Sequence, residues 1–165
     1  DDYDVEDVYD GLMKLGAGVA LKTVDKIIEG DGHVDSLPQE RLIPTDGRLH
    51  AAPKIFKDTC RIRLDGTACR VRNFVRGLSP YPGTWLEMKS HDGKASVLKV
   101  FKTTLTGIPC NGKEPGTIMV YDGRLLTATA DCWLQLDEIQ LSGKKRMAAK
   151  DFLNGIRNIE DYKLF

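Results

Sequence analysis

At 165 residues with 41% hydrophobic side chains, the chain has enough apolar mass for one domain, or for one small domain and part of another. No apolar run approaches the roughly 20 residues that cross a bilayer, and the opening Asp-Asp-Tyr-Asp-Val-Glu-Asp lacks the regions of a signal peptide. Neither a membrane span nor a secretory leader is therefore expected, and the chain reads as soluble and cytoplasmic. The formal net charge is zero, yet residues 1–31 hold nine acidic against three basic side chains, net −6, which leaves 21 basic against 15 acidic, net +6, on residues 32–165. A moderately basic body suits a polyanion binder.

In chain order, the first element is an amphipathic helix. Asp4 is placed to cap it, and Val5, Val8, Leu12, Leu15, Val19, Val24, Ile27 and Ile28 recur mostly three to five residues apart until Glu29-Gly30 ends the run. Gly11, Gly16 and Gly18 weaken such a helix by up to about 1 kcal/mol each, which predicts close packing against another element. The first residue is Asp and the helical pattern begins at once, so a natural start upstream of residue 1 is expected. Residues 30–53 carry Gly-Asp-Gly, three prolines and little apolar periodicity, and read as a connector. The predicted organisation is residues 1–30 as the terminal helix of another domain, 31–56 as a linker, and 57–165 as a second domain.

Within that domain Thr67 caps a short predicted helix with Val71, Phe74, Val75 and Leu78 on one face, Arg70, Arg72 and Arg76 largely on the other, and Gly77 to stop it. The prolines of Ser79-Pro80-Tyr81-Pro82-Gly83 then hand the chain to strands. These are expected over 84–89, 96–103, 115–121, 125–130 and 133–141, with Asp122-Gly123 as a two-residue hairpin turn and a closing helix over 148–157. The pattern predicts a mainly β fold with some α: a small OB-like antiparallel barrel with short flanking helices, preceded by a long amphipathic helix and an extended linker. A two-sheet sandwich is the alternative.

Chemistry is sparse in this sequence. There is no nucleophile with a base, no glycine-rich phosphate loop and no paired carboxylates at usable spacing. Cys60, Cys69, Cys110 and Cys132 form no Cys-x-x-Cys pair and do not group with His33, His50 and His91 at zinc spacing, so neither a metal nor a cofactor is expected in this chain. Basic residues are the informative feature. Lys54, Lys57, Arg61, Arg63, Arg70, Arg72 and Arg76 stand against only Asp58 and Asp65, and a second group, Lys144-Lys145-Arg146, precedes the last helix. Clustered Arg and Lys bind phosphates by charge and, for Arg, by paired hydrogen bonds. The candidate RNA-binding set is Lys54, Lys57, Arg61, Arg70, Arg72, Arg76, Lys144, Lys145 and Arg146; a merely solvated face is the alternative. Tyr81, Trp85, Phe101 and Trp133 lie among strand residues, which favours core packing over base stacking.

Two strings are distinctive together: Asn73-Phe74-Val75-Arg76-Gly77-Leu78-Ser79-Pro80-Tyr81-Pro82-Gly83, and Gln140-Leu141-Ser142-Gly143-Lys144-Lys145-Arg146-Met147 followed by Asp151-Phe152-Leu153-Asn154-Gly155. They resemble the C-terminal domain of methionyl-tRNA formyltransferases. The similarity reaches back through Ala52-Pro53-Lys54-Ile55 to Leu15-Gly16-Ala17, which resembles the last helix of that family's catalytic domain. The resemblance implies an oligonucleotide-binding-type barrel that holds initiator methionyl-tRNA while an N-terminal catalytic domain transfers a formyl group from the co-substrate 10-formyltetrahydrofolate. It places the family's catalytic Asn, His and Asp before residue 1, so none is carried onto this chain and an isolated fragment is expected to be inactive. Two departures stand out. The family's usual Ile-Asp-Trp is here Ile62-Arg63-Leu64, and a glycine near the second hairpin turn is here Cys132, which predicts a different turn. A related formyltransferase acting on a sugar nucleotide, or a barrel used only for protein contacts, is the alternative reading.

Overall fold

A computed structural model describes residues 2–165. The chain divides into two compact units: Asp7–Ile55, and Phe56–Phe165 together with the segment up to Glu6.

Helix α1, Val5–Glu29, matches the expected amphipathic element. Asp4 starts it by accepting the Glu6 N–H at 2.9 Å, and the left-handed Gly32 ends it, its N–H reaching the Ile27 carbonyl at 2.8 Å. No residue of α1 is buried. Among the described residues no other element packs closely on its glycines, since a Cβ at Gly11, Gly16 or Gly18 would meet nothing beyond the helix's own backbone within 4 Å. After α1 the first unit holds one short 3-10 turn, Gln39–Leu42, and otherwise no regular structure, as a connector rich in turn formers should.

In the second unit, α2 (Ala68–Arg76) forms as its sequence dictates: Thr67 Oγ1 accepts the Arg70 N–H at 3.3 Å, Val71 and Val75 are buried, and Gly77 closes the helix. Seven strands follow, β1 Thr84–Lys89, β2 Ala95–Pro109, β3 Ile118–Tyr121, β4 Arg124–Ala128, β5 Cys132–Leu141, β6 Met147–Ala148 and β7 Lys163–Leu164, with α3 (Ala149–Asn154) between the last two. They form one antiparallel sheet in the order β3-β4-β5-β2-β1-β7, with β6 beside β5. The sheet curls until its two ends meet at Thr117 and Lys163, where the Leu164 N–H donates to the Gly116 carbonyl at 2.9 Å. The barrel-like, mainly β architecture is the one expected; the sandwich is not.

Alternation sets the two faces. Thr84, Leu86 and Met88 on β1, Leu98 and Val100 on β2, and Leu134, Leu136 and Ile139 on β5 point inward to one core, which Val71 and Val75 of α2 and Phe152 of α3 cover. A smaller cluster of Cys110, Leu126, Ala128 and Trp133 lies apart from it. Strand β2 runs six residues beyond its expected end, through three register irregularities, so it bends enough to pair β1 with its first half and β5 along most of its length. Asp122 and Gly123 both have positive φ, 51° and 70°, as the type I′ hairpin turn requires. Cys132 has no such conformation, in keeping with the different turn expected there.

Candidate nucleic-acid interface

The outward positions of the central strands carry the site. On β1 the outward residues are Trp85, Glu87 and Lys89, between buried Thr84, Leu86 and Met88. Trp85 lies opposite Lys99 of β2, and Lys99 lies opposite Gln140 of β5. Segment 61–65 runs beside β1 through a parallel bridge between Arg61 and Trp85, which puts the Arg61 guanidinium 5.5 Å from the centre of the indole ring. The Trp85 Nε1–H donates to the Lys57 carbonyl at 2.8 Å, which fixes the ring. At the far end the Gln140 amide donates to the Lys144 carbonyl at 2.9 Å. With neighbouring strands about 4.8 Å apart, one row from Arg61 through Trp85, Lys99 and Gln140 spans about 15 Å and ends at the loop of Lys144 and Lys145. Both lysines are exposed.

This row joins two groups of the expected set and leaves others outside it. Arg61 stands at one end of the row, beside the backbone of Lys57, and the loop of Lys144 stands at the other. Arg146 borders it, but its guanidinium is engaged, 2.6 Å from Glu138 and 4.2 Å from the centre of the Phe101 ring. Arg72 and Arg76 turn to the chain's own acidic start. Arg72 pairs with Asp2 at 2.7 Å with its side chain only 19% exposed, and Arg76 donates to the Tyr3 carbonyl at 3.0 Å and to Asn73 Oδ1 at 2.8 Å. Arg70 is exposed on another side of α2. Lys54 belongs to the first unit.

Sequence reasoning missed Lys99 and misjudged two aromatics. Lys99 stands alone in a strand-forming run, and only the register shows it facing Trp85. Trp85 is half-buried on the outer face and Tyr81 is 84% exposed, whereas Phe101 and Trp133 are buried as expected. A further residue no local signal marks is Asp131, in the turn between β4 and β5. Its Oδ1 accepts the Ala68 N–H at 2.7 Å, the Cys132 N–H at 2.8 Å and the Thr129 hydroxyl at 3.0 Å, so it helps to cap α2 from 63 residues away. Those bonds, the Ala68 N–H foremost, hold its carboxyl below the usual carboxylate range.

Among the described residues, no group of three or more His, Cys, Asp or Glu is placed to hold a metal ion, and no helix is long and apolar enough to cross a membrane. Residues 54–157 match the family model described as formyl transferase, C-terminal domain. The chain belongs to this family. Among curated proteins, the formyl transferase C-terminal domain described here is similar to the methionyl-tRNA formyltransferase of Parabacteroides distasonis, 41% identical over 159 residues, which cover 96% of this chain and 48% of that protein. It is similar also to that of Bacteroides fragilis, 42% identical over 163 residues with 97% and 48% covered, and to that of Chlorobium limicola, 36% identical over 150 residues with 88% and 43% covered. The chain thus spans about half the length of the curated relatives it matches.

Proposed function

We propose that this chain is the tRNA-binding part of a cytoplasmic methionyl-tRNA formyltransferase, the enzyme that formylates the amino group of initiator methionyl-tRNA with 10-formyltetrahydrofolate. The chemistry belongs to an N-terminal catalytic domain whose catalytic residues lie outside this chain and of which residues 1–30 are the terminal helix; residues 31–56 are the linker, and the chain alone is inactive. The relatives are named for a tRNA substrate, and the outer-face row supplies what an RNA backbone needs: cations that stay exposed, set on a rigid sheet. The observation that carries the reading is the register that sets Arg61 and Lys99 on either side of Trp85 on one face.

Such contacts position RNA without reading its sequence, so the chain alone should bind tRNA at about 10⁻⁴ to 10⁻⁶ M with little preference for the initiator. Replacing Lys144 and Lys145 together by Ala should weaken all tRNAs alike, roughly tenfold at low salt, and flatten the plot of log K against log salt by roughly 1.5 to 2. A gel-shift salt series checks this. Wild-type affinity and slope in the double variant would show that the loop is only a structural corner.

A further inference from the structure

Segment 58–66 and α2 enclose an open depression of about 590 Å³ that shares only Arg61 with the row described above. Its size lies within the range of small-ligand sites, roughly 300–1,000 Å³. Arg61, Arg63 and Arg70 line it, with Asp58 and Asp65 among them. The two halves of the wall differ in chemistry. Alternation along 61–65 sends Arg61, Arg63 and Asp65 outward and buries Ile62 and Leu64, while α2 contributes the half-buried ring of Phe74. Arg63 and Asp65 form an exposed ion pair at 3.0 Å. The Arg70 side chain makes no hydrogen bond among the described residues, and the Thr67 cap holds only its backbone.

We propose that this depression is a binding site for a nucleoside monophosphate, either free in solution or as an unpaired nucleotide of a bound RNA. Arg63 and Arg70 take the phosphate, for which the planar guanidinium offers paired donors. The half-buried Phe74 ring takes the base, which stacks through its π-face. Asp58 accepts from the ribose hydroxyls or an exocyclic amino group, contacts that inorganic phosphate does not make. The site adjoins the proposed tRNA track at Arg61 and rests on that reading only for its RNA source.

The probe is 5′-GMP, titrated into the full chain at low salt while backbone amides are followed by NMR, with guanosine and inorganic phosphate as separate arms. The amides of Arg63, Arg70 and Phe74 should move, and 5′-GMP should bind at least tenfold tighter than either half-ligand. Arg70→Ala should weaken it at least tenfold. Arg70→Lys, which keeps the charge and loses the paired donors, should fall between, and the Lys144→Ala/Lys145→Ala variant should match wild type. Inorganic phosphate moving the same amides with equal affinity, or wild-type nucleotide affinity in Arg70→Ala, would overturn the proposal, as would no response to 5′-GMP. Saturating tRNA that blocks the response identifies an RNA nucleotide as the occupant, and tRNA that leaves it intact identifies a free nucleotide; both uphold the site. Salt-sensitive tRNA binding without any nucleotide response sinks the pocket alone, whereas a nucleotide response without tRNA binding sinks the proposed function alone.

Discussion

Gly116→Ala is expected to lower the stability of the barrel unit by about 3–5 kcal/mol, the range reserved for substitutions that force the backbone to move. Gly116 sits where the ends of the sheet meet, with φ +86° and its carbonyl accepting the Leu164 N–H. A Cβ there would lie 1.9 Å from the Leu164 carbonyl oxygen, which cannot rotate away as a side chain would. Either the junction opens or β7 shifts, and β7 carries the buried Leu164. Gly93→Ala is the matching control, because Gly93 has nearly the same φ, +81°, and open space around it. It should cost only about 1–2 kcal/mol of left-handed strain. At roughly 3 °C per kcal/mol for a chain of this size, thermal unfolding should separate the two by several degrees. Equal shifts for both would mean that the junction tolerates a side chain and that closure contributes little.

Asp131→Ala is expected to cost about 2 kcal/mol, since it removes three hydrogen bonds to a carboxylate at once, one of which caps α2. Its exposure keeps the figure at the scale of a cap rather than of a buried charge, because water replaces part of what is lost. The pH dependence has a definite sign. The carboxyl of Asp131 lies below its usual range in the folded chain, so its contribution is fully present above the unfolded value, about 3.9, and is lost as pH falls through the lower folded value. The stability gap between wild type and Asp131→Asn should therefore hold steady from neutral pH to about 5 and shrink below about 4. Urea denaturation across that range measures it. A constant gap down to pH 2 would show that the ionisation of Asp131 plays no part.

Local rules made the helices and the hairpin turn legible. The Thr67 cap, the i, i+3, i+4 spacing of Val71, Phe74 and Val75, and Asp122-Gly123 each act within a few residues, and each appears where the sequence puts it. Elements decided by distant partners were not legible. β6 and β7 are two residues long, too short to show a period, and exist because β5 and β1 offer edges. The extension of β2 crosses Gly107 and Pro109, which read as breakers, yet bulges absorb them. The basic run divides for the same reason. Arg72 and Arg76 are one helical turn apart and share a face, as the spacing shows, but Asp2 and the Tyr3 carbonyl that they bind lie 70 and 73 residues back in the chain. Conversely Arg61 and Lys99 look unrelated until the bridge of Arg61 to Trp85 and the register of β1 with β2 set them in line.

That alignment is most directly tested at its centre. Lys99 is exposed between Leu98 and Val100, both buried, so Lys99→Glu reverses the charge of the row without touching the core. The measurement is tRNA affinity at about 0.1 M salt, with the melting temperature as a check on folding and Lys113→Glu, an exposed loop lysine outside the row, as the control. Lys99→Glu should weaken tRNA at least tenfold with unchanged melting, while Lys113→Glu stays within about twofold of wild type. Equal, small effects of the two substitutions would contradict a tRNA surface on this face.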